Sequence, residues 1–369
     1  MAVLVHPAFV GFIVTLLAGV GIIATKRWHS AATADSQAGP QKFHDSSTTP
    51  RIGGLAVLAG YWAAVSVSAP PARDLLLGAG VSAGLALLGG LAEDFTKRAH
   101  PAARLIATTF AGLTFCLLTG YVVWRVEMAV VDDFLAVPLI ALGFTVFAIA
   151  VLAHAINMID GFHGLAVGTA IILLIAFSFV CLRVGDDVLA LFCLIVIGVL
   201  AGFAVLNFPF GYIFLGDGGA YFVGIVLAGV AVMVPMRNPG VSPWISIVVL
   251  AYPLMEVAVS SIRKIRAGTS PFKPDRRHLH MLVYEHLGTR IAKAAGAGHL
   301  ANPVTGMLMW SMPLASLIAV EWLALSREWS LLAVVLLLAL YVTAYRKLAR
   351  MPLPGSRSPQ PGNEWRDRT

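Results

Sequence analysis

Eleven apolar runs, each close to the length that crosses a lipid bilayer, account for most of this 369-residue chain. A spanning helix takes about 20 predominantly apolar residues, because its backbone N–H and C=O groups must be satisfied without water. The runs fall at 7–25, 53–69, 75–92, 103–122, 134–153, 164–182, 188–206, 218–235, 243–262, 303–325 and 329–345. They predict an all-α polytopic membrane protein of about eleven transmembrane helices, with no stretch left for a sizeable soluble domain. Composition agrees: 58% of residues are hydrophobic and 12% charged, against about half and a quarter in soluble domains.

Charge placement predicts the orientation. The first run has no Lys or Arg before it and Lys26 and Arg27 directly after it, the wrong polarity for a cleaved signal peptide. It reads as an anchor with its N-terminus outside. On that topology 21 of the 26 Lys and Arg residues face inward and 5 outward, the positive-inside asymmetry, with the C-terminus in the cytoplasm. The net charge of +7 therefore belongs to a face against anionic lipid headgroups, and no nucleic-acid partner is expected. Cys116, Cys181 and Cys193 lie within apolar runs and read as packing residues, not as disulfides or zinc ligands. Residues 1–350 are expected to form one membrane domain, and the Pro- and Arg-rich segment 351–369 a disordered cytoplasmic tail. The small, polar stretch 29–48 reads as a mobile connector. Gly80/Gly84 and Gly198/Gly202 have the spacing that lets helices pack closely.

The unusual polar residues gather in the inward segments. "TPRIGG" (49–54), "AEDFTKR" (92–98), "NMIDGFHG" (157–164), "FLGDGGA" (214–220) and "SPFKPDRRHLHMLVYEHLG" (270–288) all reach one face on this topology. The corresponding inward loops are 93–104, 154–163, 207–217 and 263–302. A carboxylate at mid-bilayer costs about 2.5–3.5 kcal/mol on insertion scales. Glu93, Asp94, Asp160 and Asp217, all at span ends, therefore call for a reason beyond ordinary capping. Oxygen-rich sites of this kind suit Mg²⁺ or Mn²⁺, which bridge carboxylates, water and phosphates. Arg51, Lys97, Arg276 and Arg277 supply cations, and Arg can fork onto phosphate oxygens. Asp217 in "GDGG" stands at a helix start, where free N–H groups favour anions. An N-cap is the plainer reading of that residue, and the two are compatible.

These five motifs, in this order across residues 49–288, resemble the polyprenyl-phosphate N-acetylhexosamine-1-phosphate transferases (the MraY/WecA superfamily, glycosyltransferase family 4). The resemblance implies transfer of an N-acetylamino-sugar 1-phosphate from a UDP-sugar to undecaprenyl phosphate, giving polyprenyl-diphospho-sugar and UMP. It implies a multi-pass protein of the bacterial inner membrane with a cytoplasmic-face site, initiating O-antigen or another cell-envelope glycan. A homodimer is left open. By resemblance, Asp94 works at the lipid phosphate with Glu93 in place of the usual first Asp. Asn157 and Asp160 contact the nucleotide or shape the site, with Asp160 in the catalytic set, and Asp217 is the principal Mg²⁺ (or Mn²⁺) ligand. The resemblance also implies that Arg276, Arg277, His278 and His280 meet the diphosphate or sugar, and Arg51, Lys97 and His163 are expected beside them as substrate-binding residues. His163 stands where many members carry a carboxylate, His154 where many carry an amide, and Met281 at the third histidine position. The His segment is closer to the WecA-like branch that uses UDP-GlcNAc and related sugars. A transporter or lipid flippase, and a catalytically weakened paralogue, are the competing readings.

Overall fold

The computed structural model describes residues 6–34, 49–96, 101–270, 277–322 and 325–352. Lys97, Arg276 and nearly all of the expected C-terminal tail lie outside the described residues, as does most of the polar connector. The helices are α1 (Pro7–Ala24), α2 (Lys26–Thr33), α3 (Gly53–Val67), α4 (Ala72–Thr96), α5 (Pro101–Thr119) and α6 (Ala129–Leu135). They continue with α7 (Pro138–Ile159), α8 (Leu165–Arg183), α9 (Asp187–Asn207), α10 (Gly216–Arg237), α11 (Trp244–Val249) and α12 (Ala251–Arg266). Then come α13 (Leu279–Val283), a π-helical turn (Tyr284–Gly288), α14 (Thr289–Ala294), α15 (Ala301–Met309), α16 (Ser311–Trp322) and α17 (Arg327–Ala349). Among the described residues the only β pairing is an isolated bridge between Ala34 and Pro50. The protein is an all-α, multi-pass membrane protein.

Nine helical segments among the described residues are long and apolar enough to cross a membrane. Two of the expected spans take a different form. The run at 53–69 is a 15-residue helix, α3, whose N-terminal end enters the polar site. The run at 243–262 is broken at Leu250 between α11 and α12. Pro253 explains the break: it has no N–H, and its ring crowds the carbonyl four residues back, at Val249. Pro313 stands in the same relation to Met309, where α15 gives way to α16.

The axis of the bundle is α10, buried along almost its whole length. Helices α3, α4, α7 and α8 pack around it, α5 bridges α4 and α7, and α1 lies against α3 and α9. The outer helices carry exposed Leu17, Leu88, Ile106, Leu117, Leu139 and Leu336. Such an apolar belt has a partner only in lipid. Close approach to the axis depends on small residues. A methyl group on Gly90 of α4 would strike the backbone of Gly218, and one on Gly54 the backbone of Gly219. Gly198 and Gly202 let α9 meet the α1 backbone at Ala8 and Phe12, whereas Gly84 has open space beside it.

Among the described residues, the stretch expected as a 40-residue inward loop holds the end of α12, α13, the π turn and α14, which form a small helical cap. It packs on α15 and α17.

Candidate active site

Backbone pairing brings the first motif onto the fourth. Phe214 N–H donates to the Pro50 carbonyl, and Gly53 and Gly54 N–H donate to the carbonyls of Phe214 and Leu215, each at 2.9 Å. This places Arg51 over the head of α10, where its Nη2 donates to Asp217 Oδ1 at 3.2 Å. Arg104, from the first turn of α5, donates from Nη1 to Asp217 Oδ2 at 3.3 Å. Asp217, in the first turn of α10, is thus held between two guanidinium groups that come from distant parts of the chain.

Asp94 lies where α4 meets the head of α10. Its side chain is 1% exposed, and its two oxygens accept from the Asp217 and Gly218 backbone N–H groups, each at 3.0 Å. The helix's own N-cap, Leu215, offers no side-chain acceptor. Asp94 therefore caps α10 from α4, satisfying donors that a buried helix start would otherwise leave open. The Arg51 Nε atom lies 4.0 Å from the same carboxylate. Glu93, the neighbouring acid, has a buried Oε2 without a hydrogen-bond partner among the described residues.

Gly216 makes this junction possible. Its φ is +75°, and a Cβ there would run into the Arg51 carbonyl and approach Asp94 Oδ2 at 2.9 Å. A left-handed backbone costs an L-residue about 1–2 kcal/mol. Gly216→Ala is expected to lower the activity of the site at least tenfold, because Arg51 must move off Asp217. The measurement is initial rate in detergent beside a thermal melt; unchanged rate would show that the two segments tolerate separation.

The mid-chain loop follows the end of α7. Asn157 sits in the last turn, and Asp160 is the C-cap residue. Burial pushes the Asp160 carboxyl up to about 7; Arg51 opposes this, and Asp217 and Asp94 reinforce it. The loop is fastened by Asn207, whose Oδ1 accepts from Gly164 N–H at 2.7 Å and whose Nδ2 donates to the Ile213 carbonyl at 2.8 Å. His163 is committed to the same fastening. Its ring Nδ1 lies 3.0 Å from the Pro209 carbonyl, its backbone N–H donates to Asn302 Oδ1 at 2.7 Å, and its ring packs on Phe214. A carbonyl only accepts, so Nδ1 carries the proton. These contacts make His163 a brace of the turn. His154 bridges helices: Nε2 is 3.2 Å from Thr108 Oγ1, and Nδ1 is 3.5 Å from the Tyr221 hydroxyl.

His278 and His280 close the site region from the cap. Their rings stack at 5.4 Å, and both are buried. His280 meets Phe162 of the mid-chain loop edge to face. They lie at the start of α13, not in an extended segment, while Arg277 is exposed.

Sequence reasoning missed two groups. Arg104 is the second residue of the apolar run 103–122, and a cation placed at the mouth of a span, as Asp217 is, was the available signal. Glu256 is an acid within the 243–262 run, and it lies beside both histidines.

Among the described residues, no three His, Cys, Asp or Glu side chains converge tightly enough to hold a metal by themselves. The donors nevertheless fit a hard divalent cation of the Mg²⁺ type. Such ions take one or two carboxylates and fill the remaining positions with water and phosphate oxygens. Asp217, with a side chain 14% exposed, and the orphaned Glu93 oxygen meet that description.

Carboxylates and guanidinium groups gather at the head of one buried helix, in an integral-membrane bundle faced with lipid-seeking side chains. Residues 76–235 match the model of the family described as glycosyl transferase family 4. A "probable undecaprenyl-phosphate N-acetylglucosaminyl 1-phosphate transferase" of Bacillus subtilis (strain 168) is 28% identical over 282 residues, 73% of this chain and 75% of that protein. The "undecaprenyl-phosphate alpha-N-acetylglucosaminyl 1-phosphate transferase" of Escherichia coli (strain K12) is 27% identical over 249 residues, 63% of this chain and 65% of that protein. The "decaprenyl-phosphate N-acetylglucosaminephosphotransferase" of Mycobacterium leprae (strain TN) is 32% identical over 266 residues, again 63% and 65%. The chain spans just under two thirds of the length of these last two relatives. Over these residues the chain is similar to glycosyl transferase family 4 and to these transferases.

Proposed function

We propose that this protein transfers N-acetylglucosamine 1-phosphate, or a closely related amino-sugar phosphate, from its UDP derivative to undecaprenyl phosphate. The observation that carries the reading is the Arg51–Asp217–Arg104 cluster at the head of α10, in a chain similar to proteins that are named for this transfer. The product is the first membrane-bound intermediate of a cell-envelope glycan. The site faces the cytoplasm, where UDP-sugars are made, across the inner membrane of a bacterium.

An oxygen of the lipid phosphate attacks the β-phosphorus of the UDP-sugar. The bond from that phosphorus to the bridging oxygen breaks, its electron pair goes to the α-phosphate, and UMP leaves. Positioning and charge neutralisation dominate such transfers. Arg51 and Arg104 present fixed donors to phosphate oxygens, and Asp217 keeps both side chains aimed at one point. Asp94 holds Asp217 in register through the α10 cap. A Mg²⁺ ion held by Asp217 and Glu93 would supply Lewis-acid neutralisation of the diphosphate.

The test is label transfer from radiolabelled UDP-sugars to polyprenyl phosphate by the purified full-length protein in detergent. Lipid-linked label with release of UMP supports the reading; its absence with every UDP-amino sugar tested would favour a transporter.

Two further outcomes follow from the geometry. Below about pH 7 Asp160 is protonated and neutral; above it, ionisation adds a negative charge next to Asp217 and Asp94, opposing an anionic diphosphate. The kcat/KM for UDP-sugar is therefore expected to fall through a limb near pH 7, and Asp160→Asn to remove that limb. An unchanged limb in the variant assigns it to another group. For the membrane face, a cysteine replacing exposed Arg290 should resist an impermeant thiol reagent in intact cells, whereas one replacing exposed Asp187 should react. The reverse pattern would put the site on the wrong side for cytosolic substrates.

A further inference from the structure

Glu256 of α12 is 1% exposed and lies beneath the cap with its Oε1 facing three nitrogen atoms. The Leu279 backbone N–H donates to it at 2.7 Å, and the Nδ1 atoms of His278 and His280 lie 3.3 and 3.6 Å away. A buried carboxylate with this many nitrogen neighbours is not an accidental core residue, because an unpaired charge there would be strongly destabilising. Leu279 opens α13, so the same oxygen also caps that short helix.

The chemistry of the contacts decides the tautomers. The two Nδ1 atoms stand at ion-pair distance from Oε1, and His280 Nδ1 makes no hydrogen bond among the described residues; a negative carboxylate still favours an N–H over a lone pair turned toward it, which selects the Nδ1-protonated tautomer and leaves the lone pair on Nε2. Burial pushes His280 down to about 4, a fall that Glu256 opposes and His278 reinforces, so its ring is neutral at physiological pH. The Nε2 of His280 has no hydrogen-bond partner among the described residues. It lies 3.7 Å from where a Cβ on Gly161 would stand, beside Asp160. Phe162 packs on both His280 and Tyr284 of the π turn. One carboxylate thus controls two imidazoles, and one of them braces the mid-chain loop.

We propose that Glu256 is a positioning residue, which fixes His278 and His280 in the Nδ1-protonated form and, through His280, sets the mid-chain loop that carries Asn157 and Asp160. This inference rests on the transfer reaction proposed above for its kinetic arm only. Outer partners that orient a site imidazole are typically worth 10- to 100-fold in affinity or activity.

The experiment uses full-length protein in detergent and the variant Glu256→Gln, which keeps the shape but loses the charge and can donate as well as accept. With UDP-GlcNAc and polyprenyl phosphate, kcat is expected to fall about 10- to 100-fold, with KM for the sugar nucleotide little changed. In ¹⁵N-histidine spectra, two signals assigned through His278→Asn and His280→Asn should move from the Nδ1-protonated pattern toward mixed tautomers. In the His278→Asn, His280→Asn background, Glu256→Gln should cost nothing further, the non-additivity expected of groups acting through one another. Unchanged imidazole signals overturn the proposal whatever the rate does. So does a full additional loss of rate in the double background, which would mark Glu256 as merely structural. If Glu256→Gln does not fold, Glu256→Asp withdraws the charge by one methylene and is read by the same spectra. If the wild-type protein transfers no label, the reaction reading fails, and the spectra, which need no substrate, still decide this one.

Discussion

Asp217→Asn is expected to lower kcat about 10²- to 10³-fold while leaving the folded bundle intact, a loss of about 2.7–4 kcal/mol in transition-state stabilisation. Asn has the same shape, so packing at the head of α10 is preserved. The Asp94 cap engages the backbone N–H of residue 217 and not its side chain, so it survives as well. What disappears is the negative charge between Arg51 and Arg104, whose guanidinium groups approach the two carboxylate oxygens at 3.2 and 3.3 Å. Without it the two cations repel and lose their common aim. The proposed anchor for a divalent cation is lost at the same time. The check is initial rate at saturating Mg²⁺ together with a thermal melt in detergent. A rate near wild type would remove Asp217 from the site, and a collapsed melt would make it a structural residue.

The helices were legible because their signal is thermodynamic and local. A run of 20 apolar residues has few alternatives to crossing a bilayer as a helix. Where the structure differs from that reading, one cause is local and the other tertiary. The run at 243–262 has the composition of one span, but Pro253 interrupts it. The segment from 263 to 302 has the polarity of a loop, and folds as a cap because α12, α15 and α17 give it a surface to pack on. The site was legible in part for a similar reason. Carboxylates at span ends stand out against an apolar background, and Arg51, Asp94, Asp160 and Asp217 do form one electrostatic cluster. Their division of labour was not legible, because it depends on direction. Nothing in "AEDF" says which acid faces the α10 backbone and which faces the cluster. His163 and Arg104 show the same limit from opposite sides: one has a site residue's chemistry and a brace's contacts, the other was counted only as loop charge.

That division makes Asp94 the most informative single position in the site. If Asp94 were chiefly a base for the lipid phosphate, Asp94→Asn would remove rate and leave stability alone. The structure predicts otherwise. Each oxygen of its carboxylate accepts one backbone N–H of α10, at 3.0 Å. Asn offers one acceptor oxygen, and its amide nitrogen would point its own donors at the second N–H. Asp94→Ala removes both acceptors and leaves two buried donors unsatisfied, at about 1–3 kcal/mol each. The favourable interaction of a carboxylate with the positive end of the helix is lost as well. Stability should therefore fall in the order wild type, Asn, Ala, and rate should fall with it as Asp217 loses its register. Glu93→Gln provides the contrast. Its Oε2 has no hydrogen-bond partner to forfeit among the described residues, so it should lose rate without losing stability. Thermal melts and initial rates of the four proteins in one detergent make the comparison. A stable Asp94→Asn with no activity would return Asp94 to the role of base.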